Sequence, residues 1–226
     1  MRSFSLAAHS RGTRLRAVLF AAPALACTSL REPCAGPTCS ENYECVANLC
    51  EPAGTDPVPP NSARLAPQLR SFVVMNRAGN RQPETATLGE ENRGDMLLYL
   101  EFDDSWKRAG DPLRAFLVLY PADAARVNRE DVLLEAFTLS TSTPSWSGRV
   151  SRHPKRVRPT VRALARGGAP IRFDVTSLLR GLSAGGGDGI AIVAVDEDGD
   201  GTTVSTIGSR GKPPLFEVYV ERPSGK

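Results

Sequence analysis

Hydrophobic and polar positions alternate with a period of two in several short stretches of this chain. In residues 96–103, Met96, Leu98, Leu100 and Phe102 share one face while Tyr99, Glu101 and Asp103 take the other. The same alternation sets Ile171, Phe173 and Val175 against Arg172 and Asp174, and Phe216, Val218 and Val220 against Glu217, Tyr219 and Glu221. Successive side chains of a strand point to opposite faces, so each stretch reads as a half-buried β-strand. Continuous apolar runs at residues 115–120 and 189–195 suit central strands covered on both sides. A single short helical turn is predicted at residues 177–182, stopped by the glycines at 185–187. About ten short strands with almost no helix predict an antiparallel β-sandwich or jelly roll over residues 68–222.

The N-terminal pattern is different. Arg2, Arg11, Arg14 and Arg16 precede an apolar run at residues 17–25 that closes on Ala24-Leu25-Ala26-Cys27. This reads as a secretory signal over residues 1–26, and the run is about half the roughly 18 apolar residues needed to span a bilayer. Ala24 and Ala26 suit ordinary signal cleavage. Small residues before a cysteine also suit lipoprotein maturation, and the segment resembles a bacterial lipobox with Ala24 where Leu is usual. The chain has five cysteines. Lipidation of Cys27 would leave an even four to pair, whereas plain secretion leaves an odd thiol in an oxidising compartment.

Those four are Cys34, Cys39, Cys45 and Cys50, in a segment too short to bury a core of its own. Two disulfides are expected. Zinc is disfavoured because the outer spacings exceed the usual two-residue gap and no His is interleaved. Of the three pairings, Cys34 with Cys45 and Cys39 with Cys50 would interlock the loops, and the sequence does not choose among them. Residues 51–67 are dense in proline and read as a semi-rigid spacer. The expected layout is a lipid site and cysteine module (27–50), a spacer, a sandwich held off the membrane (68–222) and a tail (223–226).

The order of blocks in the sandwich also resembles a family. Residues 96–103, 113–120, Phe173-Asp174-Val175-Thr176-Ser177-Leu178-Leu179, Asp188-Gly189-Ile190-Ala191-Ile192 and 212–220 look like the DNRLRE jelly-roll domain, which overlaps carbohydrate-binding module family 96. Ser209-Arg210-Gly211 stands where that family often has Ser-Arg-Glu. The resemblance implies a jelly roll on exported, surface-displayed proteins that sometimes bind polysaccharide.

Catalytic equipment is sparse. His153 is the only histidine beyond the leader, and the cations around it oppose its protonation. No Gly-x-Ser-x-Gly elbow or phosphate-binding glycine loop is present. Glu101, Asp103 and Asp104 are the acids a glycosidase would need, but charged groups at a strand end are ordinarily just solvated. The expectation is a protein that is not an enzyme.

Charge is segregated. Arg149, Arg152, Lys155, Arg156, Arg158, Arg162 and Arg166 fall together with no acid among them. Lys and Arg total 28 against 25 Asp and Glu, and four of the cations leave with the leader, so the rest of the mature chain is acidic. The stretch would attract an anionic polysaccharide, lipopolysaccharide or extracellular DNA. Trp146, or Trp106, could stack on a sugar ring. The candidate ligand site is Trp146, Arg152, Lys155, Arg156 and Arg158; the plainer alternative is a solvated strand whose arginines balance acids elsewhere.

Asp196, Asp198 and Asp200 alternate ahead of Gly201 like the start of a calcium loop, the sole cofactor suggested. The position of the usual bidentate Glu is Ile207, so a hairpin turn between residues 190–195 and 202–207 is the competing expectation. Arg93-Gly94-Asp95 reads as a turn rather than an adhesion motif. The sequence thus points to a monomeric, exported, non-catalytic glycan-binding lipoprotein, anchored by Cys27 in the outer membrane or at the cell surface, or else secreted or periplasmic. A structural envelope protein without a glycan site, then a glycan-cleaving enzyme, are the alternatives.

Overall fold

The computed structural model describes residues 39, 43–47, 49–52, 58–76, 79–90, 97–122, 131–139, 156–166, 169–183, 189–195, 200–207 and 212–222. In chain order the strands are β1 (Tyr43–Val46), β2 (Leu49–Pro52), β3 (Ser62–Leu65), β4 (Leu69–Asn76), β5 (Gly79–Arg81), β6 (Thr85–Glu90), β7 (Leu97–Phe102), β8 (Pro112–Leu119), β9 (Val132–Leu139), β10 (Arg156–Ala165), β11 (Ile171–Asp174), β12 (Gly189–Ala194), β13 (Asp200–Ser205) and β14 (Leu215–Glu221). One helix, α1 (Thr176–Ser183), and a 3-10 turn, Ser105–Arg108, complete the described elements.

All strand pairings are antiparallel among the described residues. One sheet has the order β10-β9-β12-β7-β4-β5 and another β11-β8-β14-β3, with the pairs β13-β6 and β1-β2 beside them. Five of the ladders nest inside one another along the chain: β3 with β14, β6 with β13, β7 with β12, β8 with β11 and β9 with β10.

The inward faces meet as the alternation requires. Leu98 and Leu100 of β7, Ile190 and Ile192 of β12 and Leu134 of β9 pack in one core with Ala115, Leu117 and Leu119 of β8 and with Phe216, Val218 and Val220 of β14. The Phe102 and Phe216 rings lie 4.7 Å apart across it. Leu178, Leu179 and Leu182 of α1 join the same core. The start of α1 is fixed by Asp174, whose carboxylate accepts the Thr176 amide at 3.1 Å, and by the Thr176 hydroxyl, which accepts the Ala115 amide at 3.0 Å. A side-chain acceptor at a helix start satisfies a backbone donor that has no partner within the helix.

The outward faces depart from the half-wet reading. Leu97 and Tyr99 of β7 are buried in a second apolar cluster with Met75, Phe137, Leu139, Ala191 and Val193. Gly189 makes room there: a Cβ on it would lie 2.5 Å from the Tyr99 ring and from the Leu100 carbonyl oxygen. On the outer face of the four-stranded sheet, Phe116, Val118, Tyr120 and Tyr219 pack against Val46, Ala47 and Val58.

That third cluster corrects the expected tether. The cysteine hairpin β1-β2 does not stand off from the sandwich but is seated on it. Cys39 is bonded to Cys50, with their Cα atoms 5.6 Å apart, and Cys45 is also held in a disulfide. Glu51, expected in the spacer, is a buried residue of β2 ion-paired with Arg172 of β11. The Arg172 guanidinium lies over the Phe116 ring at 4.5 Å. The sandwich also begins earlier than residue 68, since β3 pairs with the last strand through Arg64↔Tyr219 and Leu65↔Val218.

Candidate functional site

Of the residues expected to hold a ligand, a lipid or a disulfide, Cys27, Cys34, Trp146, Arg152, Lys155, Asp196 and Asp198 lie outside the described residues. Arg156 and Arg158 are placed on β10, an edge strand of the six-stranded sheet. Further along β10 and just past its end, two of the seven clustered cations meet acids. Arg162 pairs with Glu135 at 3.2 Å and Arg166 with Asp131 at 3.3 Å. The register breaks between Val157 and Val161, around the exposed Pro159. Proline, a register break and charge on an edge strand all hinder another chain from pairing there. Arg162 and Arg166 therefore have a structural use on this edge.

Asp200 heads β13, where it pairs with Glu90. The expected hairpin between residues 190–195 and 202–207 is not formed: β12 pairs with β7 and β9, and β13 pairs with β6. The close approach of β6 explains Gly201, which has φ +67° and whose Cβ would lie 2.5 Å from the Glu90 nitrogen. Among the described residues no group of three or more His, Cys, Asp or Glu could hold a metal ion.

The described residues do form a concavity at one end of the sandwich, with a volume of about 120 Å³. Arg70 comes from β4, Glu101 and Phe102 from β7, and Asp104, Trp106 and Lys107 from the turn that follows. Leu182 of α1, Gly189 and Ile190 of β12 and Phe216 of β14 close the other side. The turn is held by a bracket around Asp103. Its carboxylate accepts the backbone amides of Gln68 and Ser105, while its own amide donates to the Gln68 carbonyl at 2.9 Å. Hydrogen bonding from the Ser105 side chain, reinforced by those amides and by Arg70, holds the Asp103 carboxyl below the usual carboxylate range despite some burial.

The neighbouring acids also have partners. Glu101 accepts the Ser71 hydroxyl at 2.7 Å, and Asp104 pairs with Arg70 at 3.2 Å. Trp106 is not an exposed platform: only 3% of it is accessible, and it belongs to the core. Trp106 is among the residues lining the concavity, and the Lys107 ammonium lies 5.9 Å from its ring centre.

No protein-family model matches this chain, and no curated protein sequence matches it. The chemistry open to the site is that of its own side chains. Guanidinium and ammonium donors and carboxylate acceptors can hold hydroxyl groups. Held ionised, Asp103 is a poor proton donor at neutral pH.

A second polar cluster lies on the outer face of the four-stranded sheet. Glu217 is fully buried, ion-paired with Arg64, and accepts the Tyr219 hydroxyl at 3.0 Å. Burial, and next the Glu217 charge, push the Tyr219 phenol well above its ordinary value. This cluster fastens β3 to β14.

Arg70, Lys107, Leu182, Gly189 and Phe216 are absent from the sequence-based candidates. They come from elements far apart in the chain, and alternation reports which face a residue takes but not which strand ends converge. The single local signal was Asp104-Ser105-Trp106-Lys107, a tryptophan among charges just after a strong strand.

Proposed function

We propose that this chain is an exported, non-catalytic envelope protein, anchored through a lipid on Cys27, whose domain is a DNRLRE-type jelly roll that binds saccharide. The nested ladders support the jelly roll, because a long antiparallel hairpin rolled over itself pairs its strands in that order. The cysteine bonds support export, since disulfides persist in oxidising compartments.

The binding reading is carried by one observation. Arg70, Glu101, Asp104 and Lys107 surround a concavity in which the described acids are tied to serine hydroxyls, amides and arginine. Such groups suit holding a polyol better than moving protons. The basic stretch with Trp146, Arg152, Lys155, Arg156 and Arg158 adds attraction for anionic chains, and Asp196, Asp198 and Asp200 are the residues that would take calcium. The competing reading, a structural envelope protein without a glycan site, is favoured by the pairing of Arg162 and Arg166 with acids of the same sheet.

A glycan array probed with the mature chain tests the binding reading, and specific retention on a defined set of glycans is expected. Retention on none removes it, and release of shortened oligosaccharides would instead make the protein an enzyme. Mass spectrometry of Cys27 tests the anchor, which an unmodified thiol overturns.

A further inference from the structure

We infer that the cysteine hairpin is a thiol–disulfide exchange site, at which Cys45 attacks the Cys39–Cys50 disulfide, forms a bond across the hairpin and releases Cys39. This chemistry depends on neither the concavity nor saccharide binding.

The register of the hairpin is the first ground. Cys45 lies directly opposite Cys50, between the pairs Glu44↔Glu51 and Val46↔Leu49. Residues opposed in an antiparallel pair project from the same face with Cα atoms about 4.5–5.5 Å apart, and a disulfide closes over about 4.4–6.8 Å. Yet these two cysteines are not bonded to each other. Cys50 is bonded to Cys39, and Cys45 is held in a second disulfide, by elimination to Cys27 or Cys34. Two disulfides thus meet at one rung of the ladder, with a third bond within reach.

The two faces of the hairpin are the second ground. Val46 and Ala47 pack against the sheet and Glu51 pairs with Arg172, so strand alternation turns Cys45 and Cys50 away from that seat. Exchange on the far face leaves the docked face untouched. Exposure is the third ground. Cys50 is 8% exposed, whereas Cys39 and Cys45 are half-buried. Thiolates are both the attacking and the leaving species, and apolar burial disfavours them. When Cys45 attacks the Cys50 sulfur, the negative charge passes from Cys45 to Cys39 and never rests on the buried Cys50.

The sequence of steps consumes no oxidant or reductant. An incoming monothiol, as its thiolate, attacks the sulfur bonded to Cys45, forms a mixed disulfide there and leaves the bonding electron pair on Cys45. Cys45 attacks the Cys50 sulfur; the Cys45–Cys50 bond forms and the Cys39–Cys50 bond breaks, with its electron pair on Cys39. The Cys39 thiolate then attacks the protein sulfur of the mixed disulfide and expels the monothiol. One S–S bond breaks for each one made. The hairpin ends stapled to itself and no longer to the segment before β1, which in a chain anchored through Cys27 lengthens the tether between lipid and sandwich.

A three-cysteine chain isolates the central step. The mature chain with Cys27→Ser/Cys34→Ser keeps Cys39, Cys45 and Cys50, hence one disulfide and one thiol. It would be held at acid pH, brought to about pH 8 to ionise the thiol, quenched with N-ethylmaleimide, cleaved between Cys45 and Cys50 without reduction and mapped by mass spectrometry. The four-cysteine chain, Cys27→Ser alone, would be treated alike with substoichiometric reduced glutathione. Hydrogen exchange of the β1 and β2 amides reports whether the hairpin stays seated. In the three-cysteine chain the maleimide is expected to move from Cys45 to Cys39 as the Cys45–Cys50 bond forms. The same cross-strand bond is expected in the four-cysteine chain, with β1 and β2 protected throughout. Absence of that bond from either chain, or its appearance only as β1 and β2 lose protection, overturns the inference.

Discussion

Replacing Glu51 with Leu should lift the cysteine hairpin from the sandwich before the sandwich itself unfolds. The Glu51 and Arg172 side chains are 5% and 9% exposed, so removing the carboxylate leaves a guanidinium in a site almost without water. Breaking a buried ion pair from one side costs about 3–5 kcal/mol. The seat of the hairpin is of similar strength: Val46 is buried and Val58 partly buried against Phe116, Val118, Tyr120 and Tyr219, and fully burying a valine contributes roughly 1.5–3 kcal/mol. Undocking lets water reach Arg172, so the loss should level off near the docking energy rather than grow into global collapse.

Urea unfolding in oxidising buffer should show Glu51→Leu about 3 kcal/mol less stable. Hydrogen exchange should show β1 and β2 amides losing protection while those of β7 and β12 keep theirs. The double variant Glu51→Leu/Arg172→Met removes both charges and puts a thioether in place of the guanidinium over the Phe116 ring, and it should recover to within about 1 kcal/mol of the parent. If Glu51→Leu costs under about 0.5 kcal/mol, or the double variant is no better than the single, the buried pair is not what holds the hairpin.

Two further outcomes are expected. Tyr219→Phe removes the hydroxyl that donates to the fully buried Glu217 and should cost about 1–3 kcal/mol in the same urea assay; in the parent, ultraviolet titration should find the Tyr219 phenol still protonated at pH values where an ordinary tyrosine ionises. Asp103 has a folded pKa below its unfolded value, so its contribution is present above about pH 4 and is lost as acid titrates the folded carboxylate. Thermal melts should therefore show Asp103→Asn lagging the parent at neutral pH and the gap closing on acidification; a gap independent of pH would remove the carboxylate's charge from the explanation.

The strands most legible in the sequence were those whose inward residues are unambiguous. Leu98, Leu100 and Phe102, or Phe216, Val218 and Val220, are apolar on one face whatever covers the other. Alternation misled on the outward faces. Tyr99 and Tyr219 carry hydroxyls and read as wet, yet both are buried, Tyr219 by the hairpin side of the sheet and Tyr99 in its own apolar cluster. β3 was missed because Ser62-Ala63-Arg64-Leu65 follows a run of prolines and has little pattern of its own; its conformation comes from pairing with β14 at the far end of the chain. The hairpin expected around the aspartates failed for a related reason, since a turn composition suits any reversal and does not say which strand β13 will meet. The concavity was the least legible part because no single segment contains it.

The seat of the disulfide hairpin also sets an order of events. Glu51 is synthesised well before the Phe116, Arg172 and Tyr219 side chains that surround it or pack beneath the hairpin. A hairpin closed before those residues are made has no sheet to test itself against, and contacts so far apart in sequence form slowly. A wrong cysteine pairing would go unrecognised until the last strand joined β3 and β8. The staple is thus made before the strands that seat it and, with its partners spread far along the chain, is among the last parts to find its place.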